Sequence, residues 1–162
     1  MGMQYDVKSE HSSASGVAVN YRTRLKGVVV SANTTAATRN VIFADNTTLS
    51  GTYNIPGSTT CTVTITAHGL ATGDRVWLNF TTGSGATNNV YVVTVTSADA
   101  FTVTTASLTT SGNVTMYATI LMEVDAYYPA AYNVYIPGEG ILAKNGIYVG
   151  LVADLTATIF YG

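Results

Sequence analysis

The chain has 162 residues, a formal net charge of -2, and only 10% charged against 47% apolar residues, where an ordinary domain is about 25% charged. Its seven basic residues, Lys8, Arg22, Arg24, Lys26, Arg39, Arg75 and Lys144, are scattered and form no stripe able to neutralise a phosphate backbone, which argues against nucleic acid as a partner. The lone Cys61 rules out an intrachain disulfide and a cysteine-based metal centre, and no apolar run reaches the roughly 18 residues that cross a bilayer, so no membrane partner is expected.

A surface with so few charges must be built from Thr, Ser, Asn and Gly, a composition that favours strands over helices. Such a surface lacks the mutual repulsion that keeps monomers apart, so assembly is expected. Residues 1–16 are polar and end at Gly16, predicting an extended arm with at most a short strand around Tyr5 to Val7. An arm of this kind gains order by adding to a neighbour's sheet. From Arg24 to Ser31, RLKGVVVS predicts the first firm strand, and the alternation of Arg22, Arg24 and Lys26 puts them on one face, either solvated or facing an acidic partner. Val41 to Asp45 forms a second strand and Thr52 to Ile55 a third, which Pro56-Gly57 is expected to end.

Between Ser58 and Met116 apolar residues alternate with Thr: Val63 and Ile65, then Tyr91, Val93 and Val95, then Phe101 and Val103. This is the period-two pattern of half-buried antiparallel strands. Gly69 and Gly73, in His68-Gly69-Leu70 and Gly73-Asp74, suit a tight turn leading into a strand over Arg75 to Phe80. A bulkier texture resumes at Ala118. From Tyr132 onward, Pro137, Gly138, Gly140 and Asn145-Gly146 punctuate short strands, the last pair predicting a two-residue hairpin turn, and Ile159-Phe160-Tyr161 predicts a terminal strand paired inside a sheet. The chain therefore reads as all-β: an antiparallel, jelly-roll-like β-sandwich from residues 17–57 and 117–162, a Thr-rich β module inserted at 58–116, and an arm at 1–16.

No constellation for catalysis stands out, and no cofactor or metal is expected. His68 with Asp74 and a nearby hydroxyl would need triad geometry; the alternative is a turn in which His68 bonds backbone and Asp74 caps amides. His11 beside Glu10 reads as a surface ion pair. Glu123 and Asp125 share a strand face about 7 Å apart, a spacing open to glycoside hydrolysis or to a plain exposed surface. Asp6, Asp45, Asp99 and Asp154 are too dispersed for a calcium loop. Tyr127, Tyr128, Tyr132 and Tyr135 form the most suggestive cluster, open to three readings: a subunit interface, core, or a sugar-stacking platform.

The opening YDVK, the RLKG strand and the closing IPGEGI, NGIYV and TIFYG resemble small virion structural proteins of tailed bacteriophages, especially marine cyanophages, and the H-G-L-x-x-G-D stretch of residues 68–74 is similar to small β modules of phage tail and fibre proteins. The resemblance implies a non-enzymatic virion subunit, made in the host cytoplasm, with a head decoration or cement role, partnered by copies of itself as a trimer and by the major capsid protein. The alternative it implies is a tail, fibre or spike component whose inserted module reads a receptor or glycan.

Overall fold

Alternating apolar and polar residues, with no sustained helical period, produce strands alone among the described residues, which in this computed structural model are 7–32, 38–152 and 154–162. In chain order they are β1 (Lys8–Ser12), β2 (Gly16–Val19), β3 (Thr23–Ala32), β4 (Thr38–Asp45), β5 (Thr48–Thr64), β6 (Arg75–Phe80), β7 (Asn89–Val92), β8 (Thr94–Ser97), β9 (Ala100–Tyr117), β10 (Ile120–Tyr127), β11 (Ala131–Tyr135), β12 (Ile141–Ala143), β13 (Ile147–Leu151) and β14 (Leu155–Tyr161). They divide into two compact units, the first ending at Asn46 and resuming at Ile120, the second spanning Thr47–Thr119. The expected insertion at 58–116 thus starts later than the observed unit, because β5 runs unbroken through the stretch taken as a sandwich strand and its end.

In the first unit β1, β14, β3 and β11 form one sheet in that order, with β12 also on β3, and β10, β4, β13 and β2 form the other. The antiparallel pairs are nested: β1 with β14, β2 with β13, β3 with β11, β4 with β10. This is one long ribbon rolled into two sheets, the winding of a jelly roll. Every second residue points inward, so Leu25, Val28, Val30, Ala157 and Ile159 of one sheet meet Val41, Phe43, Ala126, Ile147 and Val149 of the other in a single core. The terminal strand β14 lies between β1 and β3, and Ile159 is fully buried.

Three local expectations change. The expected strand at Tyr5 to Val7 lies partly outside the described residues; the observed strand is Lys8–Ser12, and it pairs with β14 of its own chain. Asn145-Gly146 does not close a hairpin, since β12 belongs to one sheet and β13 to the other. Gly146 takes φ 110° while Asn145 is not left-handed. The buried Asp45 carboxylate instead directs this crossing, accepting bonds from Lys144 N (2.6 Å), Asn145 N (3.4 Å) and Asn145 Nδ2 (3.0 Å). Pro56-Gly57 does not end a strand either; β5 continues past it with register shifts at Pro56/Ser58 and Ser58/Thr60. Because β5 is an edge strand, the missing Pro56 N–H breaks no interior ladder.

The second unit is built on β9, paired along its length with β5 and on its other side with β8 and β6, and β7 lies beyond β6. The β5–β9 ribbon bends at the register shifts, and its halves enclose Tyr53, Ile55, Cys61, Val63, Phe101 and Met116 together with Val76 and Leu78 of β6.

Candidate functional site

The turn before β6 is a structural device. Gly69 and Gly73 take φ 68° and 99°, as a left-handed turn requires. His68 is buried, and its ring is held at both nitrogens: Nδ1 accepts from Leu70 N (3.1 Å), which places the proton on Nε2, and Nε2 donates to Ser97 O (3.1 Å). Phe101 packs edge-on against the ring. The Asp74 carboxylate accepts from Ala71 N (2.8 Å), and Asp99 in the adjoining turn accepts from Ala67 N (2.7 Å). His68 therefore has no lone pair left to serve as a base.

The other titratable candidates are dispersed. His11 Nδ1 bonds the Thr158 hydroxyl (3.0 Å) across β1 and β14, while Glu10 points to the opposite face, as neighbours on a strand must. Glu123 accepts from Asn40 Nδ2 (2.9 Å), beside the exposed Asp125. Among the described residues no three His, Cys, Asp or Glu side chains come together as metal ligands.

The four tyrosines separate into three environments. Tyr127 ends β10 and Tyr128 begins the turn to β11, 46% and 37% exposed, beside exposed Pro129 and Ala130. Tyr132 points inward from β11 and packs against the core of the first unit. Tyr135 points outward and is 78% exposed. Tyr132 and Tyr135 are three apart, an odd spacing that puts them on opposite faces of a strand, and this was readable from the sequence.

Tyr135 belongs to a feature that sequence reasoning missed. In register, Gly27 of β3 lies between Tyr135 of β11 and Phe160 of β14. With no side chain at Gly27, the outer face of the sheet sinks into a groove of about 310 Å³, walled by Tyr135, Phe160 and Val7 and rimmed by Asn133 and Lys26. The missed signal was the glycine inside the RLKGVVVS strand pattern, a mark of a bulge or close approach. Lys26 and Arg24 are engaged within the chain: Lys26 Nζ donates to Glu139 O (2.8 Å), and Arg24 donates to Gly140 O (3.3 Å) and pairs with the Glu139 carboxylate (3.1 Å). Arg22 lies just before β3, is exposed, and lines a shallow hollow together with Arg24. Arg24 and Lys26 clamp the Pro137–Gly140 turn beside the groove.

No protein-family model matches the chain, and no curated protein is significantly similar to it.

Proposed function

We propose that this chain is a non-enzymatic structural subunit of a tailed-phage virion, a capsid decoration or cement protein that stabilises the head. The observation that carries this reading is the exposed Tyr127-Tyr128-Pro129-Ala130 turn. Two large, stiff side chains held out at the margin of a jelly roll offer contact area at little entropic cost, as protein interfaces do. Support comes also from the low charge and from the resemblance of both ends of the sequence to virion proteins. Copies of the same chain, as a trimer, and the major capsid protein are the partners this reading names. The contact set is Tyr127 and Tyr128; Tyr132 serves the core.

The test is to compare phage heads with and without the protein. Bound protein should raise their resistance to heat and osmotic shock, and Tyr128→Ala should weaken that association by about 2 kcal/mol while leaving the subunit folded. Heads equally robust without it, together with binding of the free protein to host cells, would replace this reading with a receptor-binding fibre or spike component.

A further inference from the structure

We propose that the groove over Gly27 is a saccharide site that takes an acidic pyranose unit. The proposal is independent of the structural role above, since it concerns the end of β11 remote from the Tyr127-Tyr128 turn, about 13 Å along the strand from Ala131 at roughly 3.3 Å per residue.

Three observations carry it. The first is the floor. Gly27 lies on β3, whose two sides are paired with β11 and β14, so no ladder groups are open for an added peptide strand. Recognition there must use side-chain faces. The second is the walls. Neighbouring strands lie about 4.8 Å apart, so Phe160 and Tyr135 stand two spacings apart, roughly 10 Å, across a residue with no side chain. That width admits one saturated ring, whose C–H edges meet the electron-rich ring faces. The cavity of about 310 Å³ lies at the small end of ligand pockets, sized for one or two sugar units.

The third is charge. Asn133 shares the outward face of β11 with Tyr135, and its amide is placed to bond ring hydroxyls. Among the described residues lining the groove Lys26 is the charged side chain, and none of them is acidic. The Lys26 ammonium donates one bond to the Glu139 carbonyl oxygen, while the Glu139 carboxylate is engaged by Arg24. The ammonium keeps further donors, which suit a carboxylate on the ring.

The experiment titrates the full chain with oligogalacturonate and with neutral gluco-oligosaccharides of equal length, followed by calorimetry and by NMR shifts. Oligogalacturonate should bind more tightly than the neutral sugar. Tyr135→Ala, at an exposed position, should weaken both roughly tenfold or more with an unchanged thermal transition. Lys26→Gln should abolish the preference for the acidic sugar and spare the neutral binding. Absence of binding up to about 10 mM sugar, or binding that Tyr135→Ala does not touch, would overturn the proposal.

Discussion

Both units close an antiparallel ribbon around a core, and they differ in where the closure is held. In the first unit it is spread over nested strand pairs, a β-branched core drawn from two sheets, and a buried carboxylate that steers the chain between them. In the second it rests on one long antiparallel pair, β5 of 17 residues and β9 of 18, bent back upon itself. There backbone passes so near backbone that only glycine fits: a Cβ on Gly51 would fall onto the Thr64 carbonyl and the Ile65 side chain, and one on Gly112 would meet the Thr82 carbonyl. Distributed closure tolerates a local loss. Closure that rests on one strand pair does not.

The most drastic way to break the comparison is to excise the second unit. The chain leaves the first unit after Asn46 and returns at Ile120, and Ala44 pairs with Ile120. Replacing residues 47–119 by a short Gly-Ser link therefore asks the first unit only to close a turn between strands already paired, and a cooperative unfolding transition should survive. Its loss would show that the first unit cannot stand alone.

Gly51→Val comes next. The added side chain meets backbone that cannot yield without opening the ribbon, so the second unit should lose about 3 kcal/mol or more. Fluorescence of Trp77, the single tryptophan, and exposure of Cys61, both residues of that unit, follow the change. Gly69→Ala sharpens the contrast: φ is 68° but nothing lies within 4 Å of the new Cβ, so its cost should be that of the backbone alone, about 1 kcal/mol.

In the first unit Asp45→Ala should cost about 2–3 kcal/mol, measured by denaturant unfolding, because it removes the three bonds that its buried carboxylate accepts from Lys144 and Asn145. The same residue shows what could be read from the sequence. The strands of both cores were legible because burial enforces period two: Val63 and Ile65 point inward, and Thr62 and Thr64 outward. The Asn145-Gly146 crossing was not, since its geometry is set by a carboxylate 100 residues away. Nor was the β1 pairing, whose partner β14 lies near the other end of the chain. Pro56 misled because its effect depends on whether a strand is at an edge, which is a tertiary fact. The groove over Gly27 needs the register of three strands at once, so the sequence showed its glycine and its rings without showing that they meet.

Alkaline pH should separate the units more gently. Burial pushes the Cys61 thiol up from 9.0 to about 11, and burial followed by the nearby Cys61 charge pushes the Tyr91 phenol up from 10.0 to about 12. Both groups are held neutral in the folded second unit. Their stabilisation is complete below about pH 9 and is lost as pH rises toward 11 and 12, because the unfolded chain gives up these protons first. Unfolding followed by Trp77 should show this decline, Cys61→Ala should flatten it between pH 9 and 11, and the excised first unit should lack both groups' contribution.

The smallest effect is expected where the contact looks most specific. Arg24 and Glu139 pair at 3.1 Å beside the groove, but the Glu139 side chain is 83% exposed and that of Arg24 35%. Water screens such a pair, and holding two long side chains in one arrangement costs entropy, so Glu139→Gln should change the stability of the first unit by less than about 0.5 kcal/mol. The Lys26 ammonium and one Arg24 guanidinium nitrogen bond the backbone carbonyls of Glu139 and Gly140, and those bonds remain when the carboxylate is gone. Gly140, at φ 79° and with Leu25 O against its missing Cβ, fixes the backbone of the turn as well. Gly140→Ala should therefore cost more than Glu139→Gln in the same unfolding measurement, and the reverse order would mean that the ion pair, and not the backbone, holds this turn.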